Sequence, residues 1–181
     1  TCALPIYEVM KGKDTAMICS GDAGVYGMSG LIYEISRDYP GIEIEIVSGV
    51  TAALSGGAVL GAPLMHDFAV ISLSDLMTPW ELIQKRLAAA ASADMAMCLY
   101  NPSSRKRKDY LNKACQIVMQ YASPATVCGI VRQIGRDGEF FEVMTLQELS
   151  NYEADMFTTV FIGNSTTKVI NGKMVTPRGY K

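Results

Sequence analysis

The chain lacks several residues and spacings that would assign it directly to a functional class. It has one histidine, His66, among 181 residues, and its five cysteines form no CxxC pair. No Ser-His-Asp constellation and no metal-ligand cluster is identifiable by spacing, so no metal is predicted. The odd number of cysteines, three of them within apolar runs, predicts buried free thiols in a reducing cytoplasm.

Its charge and hydrophobic patterning exclude further classes. A formal net charge of −2 argues against a nucleic-acid-binding surface. No apolar run is long enough to span a bilayer, and the first residues show no signal peptide, so no membrane partner is predicted. The chain has neither a G-x-G-x-x-G motif nor the lysine of a phosphate loop, so a dinucleotide or a nucleoside triphosphate is not indicated.

What the chain does have is an alternation of strand and helix patterns. Apolar runs predict strands at 14–20, 42–47, 68–73, 95–100, 125–131 and 158–163. Helical patterns lie between them at 24–38, 51–61, 79–92 and 104–121. This alternation predicts an α/β protein with mostly parallel strands.

Local signals refine this prediction at two places. The stretch TPWEL predicts a helix start with Thr78 as N-cap, Pro79 at the first helical position and Glu81 completing a capping box. After residue 136 the pattern changes to a turn, a short strand and a short helix, followed by a hairpin through Asn171-Gly172. The second half is therefore expected to contain antiparallel strands.

A domain boundary is predicted in GAPLMHDF, where a Gly/Ala-rich helix ends before a new strand. This gives a first domain at 1–66 and a second at 67–181. The first domain offers only two clear strands, which are too few for an independent sheet. Either it borrows strands from the second domain, or the chain lacks an N-terminal piece.

Two glycine-rich stretches follow consecutive predicted strands, CSGDAGVYGMSG at 19–30 and SGVTAALSGGAVLGAPL at 48–64. Glycines let the backbone approach a ligand closely, and ligands of open α/β sheets bind at the carboxyl ends of strands. Two such loops favour one shared ligand crevice. The structural alternatives are a helix cap at Asp22 and a helix whose small residues only allow close packing.

Charged residues follow other predicted strands. LYNPSSRKRKDY contains four consecutive basic residues, 105–108, which would attract a polyanion or simply form a solvated helix face. Arg132 lies at a further strand end, and Asp75 follows the strand at 68–73. His66 stands beside Asp67 at the predicted boundary, and a lone histidine is more often structural than catalytic.

Together these stretches resemble the tetrapyrrole (corrin and porphyrin) methyltransferases, which use S-adenosyl-L-methionine. GDAGVY looks like the family's G-D-P-x-x-Y loop, and SGVTAALSGGAVLGAPL is similar to its P-G-x-[ST]-[SA]-x-x-A-A-A-x-x-G-x-P-L segment. HDFAVISLSDLMTPWELIQKRL, LYNPSSRKR, GIVRQIGRDGE and DMFTTVFIGNSTT are similar to one subgroup. That subgroup methylates C17 of a precorrin-type ring and contracts the macrocycle.

The resemblance implies a two-domain tetrapyrrole methylase fold, with a mostly parallel N-terminal sheet, a mixed C-terminal sheet and a cofactor cleft between them. The implied S-adenosyl-L-methionine contacts are Gly21, Asp22, Ala23, Val25, Tyr26, Thr51, Ala52, Tyr100, Asn101, Gln133, Ile134 and Thr158. Substrate carboxylates are expected to meet Arg105, Lys106, Arg107, Lys108 and Arg132. Acid–base chemistry is expected at His66 and Asp75, and the protein is expected to be a cytoplasmic homodimer.

The chain departs from the family pattern at two places. Ala23 stands where the family has proline, and nothing in TCALPIYEV matches the family's first strand and its G-x-G-P-G loop. We therefore expect an N-terminally truncated chain that is a poor enzyme. The alternatives are another corrin-ring methyltransferase of the family and an inactive module that binds the cofactor or a tetrapyrrole.

Overall fold

A computed structural model describes residues 4–104 and 107–180. The chain divides into two compact units, Thr1–Thr51 and Ala52–Lys181. This division comes earlier than the predicted one after His66. The reason is that the helix beginning at Ala52 packs on the sheet of the second unit, where its Gly56 approaches the buried Phe161 ring.

The first unit contains two helices, α1 (Leu4–Met10) and α2 (Ser29–Ser36). The strands predicted at 14–20 and 42–47 are wrong, and the described residues of this unit contain no strand. Both segments instead line a cavity of about 480 Å³. A strand is stable only when a neighbour pairs with its backbone groups. Neither segment has such a partner among the described residues, and these residues do not form the predicted, mostly parallel N-terminal sheet.

The second unit is built on a five-stranded sheet of β2 (Phe68–Ser72), β3 (Ala96–Tyr100), β4 (Val127–Arg132), β5 (Phe140–Thr145) and β6 (Thr158–Ile162). The strands lie in the order β2-β3-β6-β4-β5. β2 and β3 are parallel, whereas β6 is antiparallel to both β3 and β4, and β5 is antiparallel to β4. The α/β class, the four strands predicted here and the mixed sheet are confirmed.

Helices α3 (Ala52–Leu60), α4 (Trp80–Ser92), α5 (Tyr110–Val118) and α6 (Leu146–Leu149) accompany this sheet. The predictions at 51–61 and 79–92 are confirmed, whereas the helices predicted at 24–38 and 104–121 are shorter than expected. The capping box at Thr78 is wrong, because Pro79, with φ −55° and ψ 140°, is the extended N-cap residue of α4. A capping box forms instead at Thr145 and Glu148, at the start of α6.

A second, three-stranded sheet contains β1 (Gly61–Ala62), β7 (Lys168–Ile170) and β8 (Lys173–Val175). β7 and β8 form the predicted hairpin, in which Asn171 has φ 50° and Gly172 has φ 74°. Two consecutive positive φ values are what a type I′ turn requires, which explains why Asn-Gly occupies it. β1 pairs in parallel with β8 and was not predicted.

The core follows from the alternation of side chains along each strand. Met97 and Leu99 point into a cluster with α4, α5 and α6, whereas Cys98 and Phe161 point to the other face, where Ala53 and Leu60 of α3 complete a second cluster. Helices therefore cover both faces of the sheet.

Cys98, Cys115 and Cys128 are buried and free, as predicted, whereas Cys19 is free but only half-buried. Burial raises the pKa of the Cys115 thiol to about 12. Across the described ranges, no helix combines the length and the apolar character that crossing a membrane requires.

Strand register brings several functional candidates of the second unit, including Tyr100, Arg132 and Thr158, to one edge of the sheet. Ser72 lies opposite Tyr100, at the carboxyl ends of β2 and β3. Arg132, at the end of β4, lies opposite Thr158 and Phe140. We call this the carboxyl edge.

Candidate active site

In the first unit, the carboxylate of Asp22 holds the glycine-rich loop to the turn that follows residue 48. Its Oδ1 accepts a hydrogen bond from the amide of Gly24 at 2.7 Å, and its Oδ2 accepts one from Gly49 at 2.9 Å. These hydrogen bonds, first from Gly49 and then from Gly24, hold the pKa of Asp22 below its ordinary value. Asp22 does not cap α2, whose N-cap residue is Met28.

The glycines of this loop are required because backbone segments touch there. A Cβ atom at Gly49 would lie 2.1 Å from the carbonyl oxygen of Gly21, and one at Gly27 would lie 2.4 Å from that of Ala23. Val25 donates its amide to the carbonyl of Asp22 at 3.3 Å, which closes the turn. The loop predicted to bind the cofactor is thus a compact, internally bonded structure.

In the second unit, Tyr100 and Asn101 connect the carboxyl edge to the start of α3. The Tyr100 hydroxyl accepts a hydrogen bond from the amide of Ala53 at 2.6 Å. The side-chain amide of Asn101 donates to Oγ of Ser72 at 2.9 Å. Ala52, the first residue of α3, therefore lies in the same region as Tyr100, as the predicted site requires.

A second group at this edge forms around Asp155, which sequence reasoning did not include. Asp155 accepts hydrogen bonds from Nη2 of Arg132 at 2.5 Å and from Oγ1 of Thr158 at 2.7 Å. Gln133 donates its amide to the carbonyl of Phe157 at 3.2 Å. Two predicted site residues, Arg132 and Thr158, thus meet at one aspartate, and Gln133 is bonded to the neighbouring segment. The available signal was the Asp-x-x-Thr spacing, which is typical of a side-chain-bonded turn.

The charge state of Asp155 follows from competing effects. Burial acts to raise the pKa of Asp155, but the hydrogen bonds from Thr158, Arg132 and Phe157 outweigh it and hold the pKa below its ordinary value. Nε of Arg132 is buried and has no hydrogen-bond partner among the described residues.

Ile134 joins this group to α3 through the tight approach of Gly56. A Cβ atom at Gly56 would lie 2.9 Å from Cδ1 of Ile134 and 3.1 Å from Cζ of Phe161. The small residues of α3 therefore allow close packing of the helix on the sheet, which is the structural role that the sequence left open. That role does not conflict with ligand binding at the start of the same helix.

Backbone strain marks three of the predicted cofactor residues. Tyr26 has φ 52°, Asn101 has φ 54° and Gln133 has φ 52°. Among the residues that the structure describes, two other non-glycine residues share this conformation, and both lie at turns, Asp94 after α4 and Asn171 in the hairpin. A left-handed backbone at a tyrosine or a glutamine costs free energy, and such strain clusters at ligand sites.

Asp75 follows β2 and lies near the carboxyl edge. The hydroxyl of Tyr110 donates to its Oδ2 at 2.7 Å, and Nε of Arg107 lies 3.6 Å from its Oδ1. The hydrogen bond to Asp75 raises the pKa of Tyr110, so the phenol stays protonated near neutral pH.

The structure places His66 away from the carboxyl edge. It precedes β2 and lines a cavity with Asp94, Met95 and Asn164 at the opposite edge of the sheet. The five residues of β2 separate the two edges, which is roughly 15 Å. His66 and Asp75 therefore do not form one acid–base pair.

The predicted basic run divides into residues with different surroundings. Arg105 and Lys106 lie outside the described residues. Arg107 turns inward, with its side chain 13% exposed, whereas Lys108 is exposed. The run is thus not a uniform cationic surface.

Comparison with known proteins identifies a matching family and several similar proteins. The sequence profile of the family described as tetrapyrrole (corrin/porphyrin) methylases matches residues 3–150. A probable cobalt-factor III C(17)-methyltransferase of Salmonella typhimurium is 44% identical over 180 residues, which are 99% of this chain and 75% of that protein. A cobalt-factor III methyltransferase of Priestia megaterium is 46% identical over 97% of this chain, but this chain spans only 34% of it.

Solved structures agree with this relationship. The crystal structure of the methyltransferase CobJ has a TM-score of 0.91 and 32% identity over 97% of this chain and 76% of its own. A uroporphyrin-III C-methyl transferase of Thermus thermophilus, complexed with S-adenyl homocysteine, has a TM-score of 0.61 at 19% identity, over 79% of this chain and 62% of its own. The second likeness shows the fold alone.

Proposed function

Because the chain belongs to the tetrapyrrole (corrin/porphyrin) methylase family, we propose that it transfers a methyl group from S-adenosyl-L-methionine to C17 of cobalt-factor III or of precorrin-3B, its counterpart without cobalt. The transfer is coupled to contraction of the macrocycle and is a step of cobalamin biosynthesis. The observation that carries this proposal is the 44% identity to the probable C(17)-methyltransferase of Salmonella typhimurium, over 99% of this chain.

The residues of both units fit the cofactor chemically. S-adenosyl-L-methionine is a nucleoside joined to an amino acid, and it needs backbone amides, neutral polar groups and room for its adenosyl part. The chain offers the backbone groups of the glycine loop, the small residue Ala52 at the start of α3, and the polar side chain of Asn101. The residues proposed to hold it are Gly21, Asp22, Ala23, Val25, Tyr26, Thr51, Ala52, Tyr100, Asn101, Gln133, Ile134 and Thr158.

When bound, the cofactor supplies an activated methyl group on a sulfonium. The task left to the chain is mainly to align that methyl with the accepting carbon, which can contribute about 7–11 kcal/mol to lowering a barrier. Strained backbone at Tyr26, Asn101 and Gln133 is consistent with contacts that must be held at fixed positions.

The proposed substrate carries many carboxylates, so cations near the site have a role. We propose that Lys108 and Arg132, with Arg105 and Lys106, attract it electrostatically. The Arg132 side chain is 42% exposed although it pairs with Asp155, so part of its guanidinium is accessible to a carboxylate. For acid–base work during ring contraction we propose Asp75 rather than His66, because Asp75 lies near the carboxyl edge.

We further propose that the protein works as a cytoplasmic homodimer. Free, buried thiols at Cys98, Cys115 and Cys128 suit a reducing compartment. Light scattering of the purified protein should give twice the mass of one chain, and a monomer at micromolar concentration would contradict the homodimer.

Calorimetry with S-adenosyl-L-homocysteine tests the cofactor assignment. The wild type should bind it, and Ala52→Trp should abolish binding because an indole would fill the adenosyl space. Ala89→Trp, at an exposed position of α4, is the matched control and should bind normally. Absence of binding by the wild type would overturn the assignment, and unchanged affinity in Ala52→Trp would overturn the placement.

A further inference from the structure

Three segments of the second unit converge on Asp75. Asp75 itself belongs to the loop between β2 and α4, Tyr110 opens α5, and Arg107 belongs to the loop between β3 and α5. Tyr110 donates to one carboxylate oxygen at 2.7 Å, and Arg107 lies 3.6 Å from the other. The ring of Trp80, at the start of α4, packs on that of Tyr110 with centroids 4.3 Å apart. Asp75 thus ties both loops together.

The guanidinium of Arg107 is committed to the chain itself. Its Nε donates to Oγ of Ser104 at 3.0 Å, and its Nη1 donates to the carbonyl of Leu73 at 3.3 Å. Only 13% of the side chain is exposed. An arginine held by three partners and mostly buried is poorly placed to reach a substrate carboxylate, although the sequence predicted that role for it.

The partners of Arg107 lead directly to the predicted cofactor residues. Leu73, whose carbonyl Arg107 holds, donates its own amide to the carbonyl of Tyr100 at 2.8 Å. Ser72, which precedes Leu73 in the chain, accepts a hydrogen bond at its Oγ from the side-chain amide of Asn101 at 2.9 Å. Arg107 is therefore connected to Tyr100 and Asn101 through the segment that contains Ser72 and Leu73.

We propose that Arg107 is a positioning residue, which fixes the strand-end segment carrying Tyr100 and Asn101 by holding Leu73, Ser104 and Asp75 together. This inference rests on the proposed function, because it assumes that this segment binds S-adenosyl-L-methionine. It assigns a different role to Arg107 from that of its exposed neighbour Lys108.

The hydrogen-bonded carboxylate explains why an arginine is needed. Asp75 is half-buried, and an adjacent cation offsets the cost of holding a carboxylate away from water. The planar guanidinium can also donate in several fixed directions at once, which a lysine cannot do. Lysine at this position would keep the ion pair but could not reproduce all three contacts.

The test measures S-adenosyl-L-homocysteine affinity in Arg107→Gln, Arg107→Lys and the wild type. Arg86→Gln, at an exposed position of α4, is the control for the same substitution. We expect at least a fivefold loss of affinity in Arg107→Gln, a smaller loss in Arg107→Lys and no loss in Arg86→Gln. Trp80 is the single tryptophan, so its emission should shift on ligand binding in the wild type and shift less in Arg107→Gln.

The outcomes separate the two proposals. If the wild type binds and Arg107→Gln binds equally well, the positioning role is overturned and the proposed function stands. If the wild type does not bind, the proposed function is overturned, and the positioning role with it. Should Arg107→Gln fail to fold by circular dichroism, Ser104→Ala decides, because it removes only the acceptor that orients Nε. A twofold or greater loss there supports the inference, and unchanged affinity overturns it.

Discussion

Replacing Tyr100 by phenylalanine tests the link between the carboxyl edge and α3. The substitution removes only the hydroxyl that accepts a hydrogen bond from the amide of Ala53 at 2.6 Å. Ala53 is 1% exposed, so its amide loses an acceptor in a largely buried position. Leaving a buried donor unsatisfied costs about 1–3 kcal/mol. We expect the free energy of unfolding of Tyr100→Phe to fall by this amount.

Urea unfolding followed by circular dichroism measures the change. With a denaturant slope of about 1–3 kcal/mol per molar urea, the transition midpoint should fall by roughly 1 M. Tyr121→Phe is the matched control, since Tyr121 is exposed. It should change stability by less than about 0.5 kcal/mol, as surface substitutions do. S-adenosyl-L-homocysteine affinity should also fall in Tyr100→Phe, because the start of α3 loses its anchor.

Two results would refute this reasoning. If Tyr100→Phe is as stable as the Tyr121→Phe control, the hydroxyl does not satisfy a buried amide. If stability falls but affinity does not, the contact is structural and the start of α3 does not bind the cofactor.

Two further predictions concern the glycine loop and Asp155. Gly49→Ala places a Cβ atom 2.1 Å from the carbonyl oxygen of Gly21, so calorimetry should show at least a tenfold loss of S-adenosyl-L-homocysteine affinity. The control Gly30→Ala, where nothing lies within 4 Å of the added atom, should bind normally. Equal affinities of the two variants would count against a role of the loop in binding. The folded-state pKa of Asp155 is lowered, so its contribution to stability is present above the unfolded pKa of about 3.9 and is lost as pH falls through the folded pKa. The stability difference between wild type and Asp155→Asn should therefore shrink below about pH 4 in acid titrations of unfolding, and a constant difference would contradict this.

Sequence patterns predicted the second unit well because its strands have partners. Continuous apolar runs such as those of β3 and β6 are typical of strands covered on both faces, and helices do cover both faces of this sheet. The two runs of the first unit carry similar local signals, yet they form no strands. Strand formation depends on pairing with a neighbour, and a local pattern contains no information on whether one is present.

Side-chain roles were predicted less completely than side-chain positions. Glycine loops and strand ends indicated a ligand crevice, because strand polarity follows from local sequence, whereas Asp22, Tyr100 and Gln133 were implied by the resemblance to the tetrapyrrole methyltransferases. The inward turn of Arg107 could not be predicted from a run of four basic residues. It depends on Asp75, which is distant in the sequence and meets Arg107 only after folding. The placement of His66 was missed for a different reason, because it precedes a strand and so lies at the amino end of β2 rather than at the carboxyl edge.

The most direct test of the central claim is to trace the transferred methyl group. The purified chain is incubated with cobalt-factor III and S-adenosyl-L-methionine that carries ¹³C in its methyl group, and the tetrapyrrole product is examined by carbon NMR and mass spectrometry. The proposed function predicts one added labelled methyl, located at C17 of a contracted ring. A label at another ring carbon would indicate a different methyltransferase of the family. A chain that binds S-adenosyl-L-homocysteine but leaves the tetrapyrrole unlabelled would contradict the proposed activity.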